Sequence, residues 1–391
     1  MITFEEASSI VKGISVQPVP EKVSLEQAVG RVLAADVFSD VEMPPFNKAA
    51  VDGFACRHMD LPGPLNVIEI IPAGVVPAKV ITNADCAKIM TGAMLPEGAD
   101  AIVMVEYTQT NEEGKIIFTG DKTSSNIAFK AEDVKIGDHV LKIGTRIQPQ
   151  HIAMLAAVGV VEPLVYKAPV IGVISTGDEL VEPDQKPGIS QIRNSNAQQL
   201  MAQARQLGLE VVYFGIALDT PESLERMIQK GFEQSDVLLL TGGVSMGDFD
   251  YVPAVLKVLG VDVLFDSIAV QPGKPTVFGR KGNKFLFGLP GNPVSSFVQF
   301  ELLVKQLIFK MMGHDYKPAM IKLPLAKDFS RRKAERKSFI PVNITDEGEI
   351  IPLEYHGSAH IHAYEGAAGI MAVEIGETQI AAGTLKDVRQ L

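Results

Sequence analysis

Three glycine-rich turns carry the residue types best suited to chemistry. Each follows an apolar run: Ser175-Thr176-Gly177-Asp178-Glu179, Thr241-Gly242-Gly243-Val244-Ser245-Met246-Gly247-Asp248-Phe249-Asp250 and Gly288-Leu289-Pro290-Gly291-Asn292-Pro293. Glycine lets backbone N–H groups approach an anion closely, and the N-terminus of a following helix adds a favourable dipole. One such turn is weak evidence, because glycine also ends many strands for steric reasons. The three together predict a phosphate-binding site.

Carboxylates accumulate at the same predicted strand ends. They are Asp178, Glu179, Asp219, Asp248 and Asp250. Carboxylates beside a phosphate pocket repel the ligand unless a cation lies between them, and Mg²⁺ binds through one or two carboxylates plus phosphate oxygens. The sequence therefore predicts a divalent ion on Asp219, Asp250 and Asp248. The alternative, in which each acid is a solvated cap or turn residue, stays open.

Cations near these turns are few. Lys274 lies in the rigid loop Gln271-Pro272-Gly273-Lys274-Pro275, which would orient its ammonium group. Arg336 and Lys337 end a basic run from 331 to 337, and a solvated face is the alternative reading of that run. His356, His360 and His362 fit no familiar zinc spacing, so we expect surface histidines. The sequence holds no P-loop, GxGxxG, GxSxG or HExxH motif.

The elements that must position these turns lie between about 169 and 314. Apolar strands are predicted at 170–175, 210–217, 236–240 and 284–287, and helical patterns alternate with them. The last helix is predicted from about Pro293 to Met312. Such alternation predicts a parallel sheet covered by helices on both faces. Ligands bind beyond the carboxyl ends of strands in such sheets, where all three turns would meet.

The flanking segments have other patterns. Thr3 with Glu6, and Ser24 with Gln27, fit capping boxes and predict two short helices at the start of the chain. Residues from Lys48 to about Gly137 predict a small β domain inserted into a helical one. After Gly313 the helical signal stops, and the remaining residues predict a small all-β domain. The whole is a multidomain α/β protein.

Composition excludes several classes of protein. The 391 residues carry 36 basic and 47 acidic side chains, a net charge of −11, which disfavours a nucleic-acid-coating protein. Cys56 and Cys86 are too few for a disulfide framework and lie in apolar company, so we expect buried small hydrophobes. The longest apolar run, 152–161, is shorter than the roughly 20 residues that span a bilayer. The first six residues are acidic where a secretory signal is basic, so we expect a cytoplasmic protein without membrane or nucleic-acid partners.

Further motifs identify a family. They are Pro44-Pro45-Phe46, Val51-Asp52-Gly53-Phe54-Ala55, Met90-Thr91-Gly92-Ala93 and Pro96-Glu97-Gly98-Ala99-Asp100. With the three glycine-rich turns and the Lys274 loop, they resemble the molybdopterin molybdenumtransferases, or MoeA proteins, which also form the C-terminal part of gephyrin. The resemblance covers essentially the whole chain.

The resemblance implies an architecture and a reaction. It implies a helical linker and dimerisation domain (1–47 and 138–168), an inserted β domain (48–137), a doubly wound parallel-sheet molybdopterin-binding domain (169–314) and a C-terminal β-barrel (315–391). The implied enzyme is a cytoplasmic homodimer that converts adenylylated molybdopterin and molybdate into molybdenum cofactor and AMP. It would require Mg²⁺ or a similar ion. Possible protein partners are the molybdopterin adenylyltransferase and acceptor molybdoenzymes.

The resemblance also assigns site residues. The implied catalytic set is Asp52, Thr91, Glu179, Asp219, Asp250 and Lys274. The implied substrate-binding set is Asp133, Ser175, Thr176, Gly177, Asp178, Gly242, Gly243, Ser245, Pro290, Gly291, Asn292, Pro293, Arg336 and Ser358.

The chain departs from the family pattern at three positions. Ala128 stands where an arginine is frequent, Gln271 where some members have lysine, and Asn194 where aspartate is frequent. Lys274 is then the main cation of its loop. Three alternative functions stay open: a tungstate-specific insertase, the molybdopterin adenylyltransferase, which shares the α/β domain, and a non-catalytic scaffold of the gephyrin type.

Overall fold

The computed structural model of the chain describes residues 1–244, 251–354, 357 and 359–391. Their contacts divide the chain into two units. Unit 1 comprises Met1–Ala35, Gly144–Pro149 and Glu162–Leu391, and unit 2 comprises Asp36–Ile143 and Gln150–Val161. The finer division into four domains stays a prediction.

The helices are short and lie mostly in unit 1. The α-helices are α1 (Phe4–Gly13), α2 (Leu25–Ala28), α3 (Pro149–Ala157), α4 (Ser195–Gln206), α5 (Pro221–Gln234), α6 (Val252–Val258), α7 (Pro293–Gln299) and α8 (Lys305–Met311). A π-helical turn, Phe300–Val304, joins α7 to α8, so the long helix predicted from Pro293 contains a π turn. Single 3₁₀ turns occur at His58–Asp60, Val105–Tyr107 and Ile361–Tyr364.

The strands before residue 169 belong to the N-terminal part and the inserted segment. They are β1 (Pro20–Lys22), β2 (Val37–Phe38), β3 (Lys48–Ala49), β4 (Gly53–Cys56), β5 (Asn66–Ile71), β6 (Asp85–Ile89), β7 (Ala101–Met104), β8 (Thr108–Thr110), β9 (Ile116–Phe118), β10 (Ile127–Ala128), β11 (His139–Leu141) and β12 (Leu164–Tyr166).

The later strands build the central and C-terminal sheets. They are β13 (Ile171–Thr176), β14 (Leu180–Val181), β15 (Ile192–Arg193), β16 (Val211–Ala217), β17 (Val237–Thr241), β18 (Asp262–Phe265), β19 (Val270–Gln271), β20 (Val277–Lys281), β21 (Lys284–Leu289), β22 (Met320–Pro324), β23 (Phe329–Ser330), β24 (Lys337–Ile344), β25 (Ile350–Pro352), β26 (Gly369–Val373), β27 (Gln379–Ile380) and β28 (Leu385–Gln390).

The central sheet of unit 1 is mixed, not wholly parallel. Its order through the described residues is β16-β13-β17-β21-β20-β18. The first four strands are parallel, but β20 runs antiparallel to them, and the edge strand β18 pairs antiparallel with β20. The prediction of an all-parallel sheet was therefore wrong at this end. The cause is a hairpin: Lys281 pairs with Lys284, which leaves Gly282 and Asn283 as a two-residue turn.

Helices cover both faces of this sheet, as predicted. Along β17, Val237 and Leu239 pack with α4, α7 and α1, whereas Leu238 and Leu240 pack with α5 and α6. Successive strand residues point to opposite faces, so a strand buried on both sides must be apolar throughout. Each large aliphatic side chain buried in this way contributes roughly 1.5–3 kcal/mol. This burial fixes the strand ends that carry the glycine-rich turns.

The two predicted N-terminal caps have different outcomes. At α1, Thr3 and Glu6 form the reciprocal hydrogen bonds of a capping box, as predicted. At α2, Ser24 precedes a helix of four residues and makes no side-chain cap bond. The second capping box was therefore wrong. Helix α1 is stabilised further by burying Ala7 and Val11 in the main core.

The C-terminal residues form an antiparallel sheet around β24. The order is β19-β24-β26-β28-β22, with β25 paired to the far end of β24. Among the residues described, β19 and β22 do not pair, so the sheet shows no closed barrel. The expected C-terminal barrel is thus not confirmed. Strand β19 directly precedes the Lys274 loop, so this sheet anchors one end of that loop.

Unit 2 contains a small sheet in the order β5-β6-β4-β7. Cys56 on β4 lies opposite Cys86 on β6, and both are free and buried. Burial raises the pKa of each thiol to about 12. The expectation of buried small hydrophobes is confirmed. No helix in the described part of the chain is long and apolar enough to cross a membrane.

Candidate active site

A cleft of about 830 Å³ lies at the carboxyl ends of β13, β17 and β21. Four parallel strands end at this edge, so the described parts of all three glycine-rich turns meet there. Strand order reverses between β13 and β17, and such a switch point leaves a crevice between neighbouring strand ends. The lining residues are Thr176, Gly177, Glu179, Leu180, Ile192, Arg193, Asn194, Ser195, Asn196, Asp219, Thr241, Gly242, Gly243, Val244, Pro275, Pro290, Gly291, Asn292, Pro293, Ala359 and Ile361.

Glycine is required where the second turn crosses β13. Gly242 has φ +97°, and a Cβ atom there would lie 2.3 Å from the carbonyl oxygen of Thr176. Gly243 also has a positive φ, +62°. Both conformations disfavour any residue with a side chain. The backbone of this turn therefore lies at the cleft wall without side chains to cover its polar groups.

The described carboxylates of the cleft surround the end of β13. The hydroxyl of buried Thr176 donates a short hydrogen bond to Oδ1 of Asp219. The N–H of Asp219 donates to Oδ1 of Asp178 at 3.2 Å. Glu179 is exposed at the mouth of the cleft, and its carboxylate lies against Gly177. Thr176 thereby orients one oxygen of Asp219. Asp219 lines the cleft and is the described carboxylate best placed to bind a cation there.

Three predicted residues of the cleft lie outside the described residues: Ser245, Asp248 and Asp250. Ser358, predicted from the C-terminal part, does so as well. Across residues 1–244, 251–354, 357 and 359–391, no group of three or more His, Cys, Asp or Glu residues could hold a metal ion. The predicted three-acid metal site therefore stays a prediction.

Ser175 is buried and supports the cleft from behind. Its hydroxyl donates to Oδ1 of Asn194 at 2.9 Å, and the Asn194 amide donates to the hydroxyl of Tyr213 at 2.8 Å. Tyr213 in turn donates to Oε1 of Glu182 at 2.8 Å. Burial, together with the bond to Glu182, raises the pKa of Tyr213 above its ordinary value. The side chain of Ser175 therefore fixes Asn194 and does not face the cleft.

Two cleft residues were missed from the sequence. The Asn196 amide donates to Oγ1 of Thr241 at 2.9 Å and to the carbonyl of Gly291 at 2.7 Å, so it joins the second turn to the third. Arg193 places an exposed guanidinium at the same wall, and its Nε donates to the carbonyl of Gln185. The available signal was the Asn194-Ser195-Asn196 run before the helical pattern of α4, which is typical of a helix start.

The third turn begins α7. Asn292 occupies the N-cap position and Pro293 the first helical position, where a missing N–H costs nothing. The carbonyl of Pro290 accepts from Oγ1 of Thr241 at 3.4 Å. Pro290, Gly291 and Pro293 thus shape a rigid wall of the cleft.

Lys274 is exposed next to Pro275, which lines the cleft. Its carbonyl accepts from the N–H groups of Ile268 and Thr276 at 2.9 and 3.0 Å. The buried hydroxyl of Thr276 donates to the carbonyl of Gly273 at 2.7 Å. The Lys274 backbone is therefore fixed, while its ammonium forms no ion pair with the residues described. Such a cation is suited to an anionic ligand.

Arg336 lines a second cavity, of about 730 Å³, with Gln271 and Ser338. Its guanidinium donates to the carbonyl of Val270 at 3.2 Å. Lys337 does not fit the expected solvated face. It points the other way from β24 and pairs with Glu5 at 2.7 Å and Glu374 at 2.9 Å. Burial opposes its charge, but these two carboxylates raise the pKa of Lys337 above its ordinary value.

Within unit 2, the structure joins two of the three predicted residues. Oδ1 of Asp52 accepts from both the hydroxyl and the N–H of Thr91, each at 2.6 Å. These bonds, the hydroxyl bond first, lower the pKa of the Asp52 carboxyl. Asp133 is exposed, and only its backbone pairs, with the carbonyl of Met43, among the contacts described. Thr91 therefore orients the Asp52 carboxyl and favours its charged form.

Comparisons with known proteins identify the family. Residues 2–159 match the family model "MoeA N-terminal region (domain I and II)", and residues 172–310 match "Probable molybdopterin binding domain". The chain is 35% identical over 400 aligned positions to the molybdopterin molybdenumtransferase of Staphylococcus epidermidis, covering 99% of this chain and 95% of that protein. It is 36% identical over 377 positions to the Staphylococcus aureus protein of that name, covering 94% and 90%. A crystal structure of the molybdopterin biosynthesis MoeA protein of Pyrococcus horikoshii, 29% identical, matches 100% of both chains with a TM-score of 0.83. The chain belongs to the MoeA family of molybdopterin molybdenumtransferases.

Proposed function

We propose that this chain is a transferase of molybdenum cofactor biosynthesis that inserts molybdate into adenylylated molybdopterin and releases AMP. The observation that carries the proposal is the cleft at the switch point between β13 and β17, built from three glycine-rich turns. Glycine-rich backbone beside a helix N-terminus is suited to a pyrophosphate-linked anion. The similarity to named molybdenumtransferases over nearly the whole chain supports the same reaction.

Different described residues would bind the two anions, adenylylated molybdopterin and molybdate. The second glycine-rich turn and the N-terminus of α4 would bind the pyrophosphate through backbone N–H groups, since the Asn194 and Asn196 amides already donate to Tyr213, Thr241 and Gly291. Lys274 would neutralise a phosphate or the incoming molybdate. Thr176 holds the carboxylate of Asp219 toward the same region. Apolar Ile192 and Ile361 line the cleft where a flat ring system would pack.

Mg²⁺ is part of this proposal. The described donor fits it in type, because the Asp219 carboxylate is a hard oxygen ligand held beside a site suited to phosphate. We propose Asp219 as one ligand, with Asp248 and Asp250 as the others. Bound there, the ion would supply charge neutralisation for the pyrophosphate.

The assembly is proposed from the resemblance. We propose a cytoplasmic homodimer with the four domains given above, including a C-terminal barrel. Asp52 and Thr91 of the inserted domain would complete the site, and the two hydrogen bonds from Thr91 to the Asp52 carboxylate support a role in binding or catalysis. Asp133 and Arg336 are proposed to bind substrate.

The Asp219→Asn variant tests the proposed reaction. It keeps the shape of the side chain but removes its charge, so release of AMP in the presence of molybdate should fall at least about 100-fold. Asp346→Asn, at an exposed turn in the same unit, is the matched control and should keep full activity. Circular dichroism should show both variants folded. Wild-type AMP release by Asp219→Asn at limiting Mg²⁺ would contradict the assignment.

The same assay separates the alternative functions. An insertase specific for tungstate would release AMP with tungstate and not with molybdate. An adenylyltransferase would consume ATP and molybdopterin instead, and a scaffold would do neither.

A further inference from the structure

A buried glutamine lies directly against the Lys274 loop. Gln299, the last residue of α7, is 0% exposed, and its Nε2 donates to the carbonyl of Pro272 at 3.0 Å. A Cβ atom on Gly273 would lie 2.3 Å from that Nε2. Since Gly273 also has φ +105°, no other residue fits there without displacing the amide. Gly273 and Gln299 therefore depend on each other.

The other end of the same amide has no partner. Oε1 of Gln299 is buried and accepts no hydrogen bond from the described residues. A buried acceptor without a partner destabilises a protein, and an apolar side chain of equal size would avoid that loss. Fold stability alone therefore does not explain a glutamine at this position. The Nε2 group of Gln299 offers an explanation, because it donates to the carbonyl of Pro272 in the Lys274 loop.

We propose that Gln299 is a positioning residue that sets the direction of the Lys274 ammonium. The loop is held from both sides. Thr276 donates to the carbonyl of Gly273, and Gln299 donates to the carbonyl of Pro272, the two peptide groups just before Lys274. Loss of the Gln299 bond leaves the carbonyl of Pro272 without this donor, so the Lys274 ammonium is no longer held in one direction. This inference rests on the proposed role of Lys274 in binding an anion.

The test is Gln299→Met, which keeps the volume of the side chain and removes both the donor and the unpartnered acceptor. We expect kcat/KM for molybdate or for the adenylylated substrate, whichever anion Lys274→Ala weakens, to fall about two- to tenfold, mainly through a higher KM, since one neutral hydrogen bond is lost. The thermal midpoint should change little, because the Pro272 carbonyl loses its donor while the unpartnered Oε1 is removed. Hydrogen exchange of the amides in 271–276 should become faster, while exchange in β13 and β17 stays as in the wild type.

Gln306→Met is the matched control. Gln306 is a buried glutamine on α8, where its amide bonds the carbonyl of Leu302 and its Oε1 accepts from Ser8. Its loss should lower the thermal midpoint without changing the KM for molybdate or for the adenylylated substrate. Unchanged exchange in 271–276 of Gln299→Met, or a KM equal to that of Gln306→Met, would overturn the inference.

A double variant separates positioning from packing. If Gln299 acts through Lys274, adding Gln299→Met to Lys274→Ala causes no further loss of kcat/KM. Equal losses in both backgrounds would overturn the positioning role. A Lys274→Ala single variant with wild-type kinetics would instead contradict the proposed role of Lys274, and that result is obtained without any change at Gln299.

Discussion

At the scale of single residues, the described lining of the cleft is poor in cationic side chains. Arg193 is the one basic residue on its described lining, against the carboxylates of Glu179 and Asp219. A net charge of −11 makes the rest of the surface unfavourable to an anion at long range. Lys274 forms no ion pair with the described residues. We therefore expect it to provide much of the electrostatic attraction for an anionic ligand.

Lys274→Ala should show this contribution. A charge-assisted hydrogen bond contributes about 1.5–3 kcal/mol, so the variant should lose roughly 10- to 150-fold in kcat/KM for molybdate or for the adenylylated substrate. Lys257→Ala, on an exposed face of α6, is the control and should retain wild-type kinetics. Lys337 is unsuitable as a control, because it pairs with Glu5 and Glu374. A larger loss in Lys257→Ala than in Lys274→Ala would show that Lys274 is not the main cation for the anion.

Prediction from sequence succeeded for residues whose roles are local and failed for those with distant partners. Gly242 and Pro293 follow strands or begin helices, and their types signal this directly. Asn196 bonds residues 45 and 95 positions away, and Gln299 bonds a carbonyl 27 positions away. No periodicity or turn signal marks such contacts, because only the folded sheet brings the partners together.

At the scale of elements, the cleft depends on the ends of two parallel strands. β13 and β17 are buried on both faces, so neither strand can shift to enlarge the crevice between them. The continuous apolar runs were enough to predict these strands. The reversed strand β20 and the edge strand β18 were missed. Gly282-Asn283 is a two-residue hairpin signal, but the alternating strand–helix pattern favoured a wholly parallel sheet.

Gly242→Ala should disable the cleft through this geometry. The added methyl group would meet the carbonyl of Thr176 at 2.3 Å, at a φ of +97° that alanine rarely adopts. We expect the turn to move away from β13, with a loss of about 1–3 kcal/mol in the free energy of unfolding and a larger proportional loss of AMP release. Gly260→Ala, at a positive φ in open space, controls for backbone strain alone. Equal activity of the two variants would show that close approach at Gly242 does not matter.

At the scale of the whole molecule, the predicted site residues belong to both units. Asp52 and Thr91 lie in unit 2, whereas Glu179, Asp219 and Lys274 lie in unit 1. Each set is positioned within its own unit: the hydroxyl of Thr91 donates a hydrogen bond to Asp52, and the hydroxyl of Thr176 donates one to Asp219. Sequence motifs identified both sets, but no motif states whether one chain or two must supply them. The resemblance implies a homodimer in which the inserted domain of one protomer serves the α/β domain of its partner.

Complementation decides between one chain and two. Asp52→Ala and Asp219→Ala, each inactive alone, would be mixed under conditions of subunit exchange. If a site takes residues from both protomers, each mixed dimer holds one site with both substitutions and one with neither. Random mixing at equal concentrations gives about half mixed dimers, so about a quarter of all sites should be intact and AMP release should recover to that fraction. Mixed dimers confirmed by native mass spectrometry but without activity would mean that each chain builds its own site.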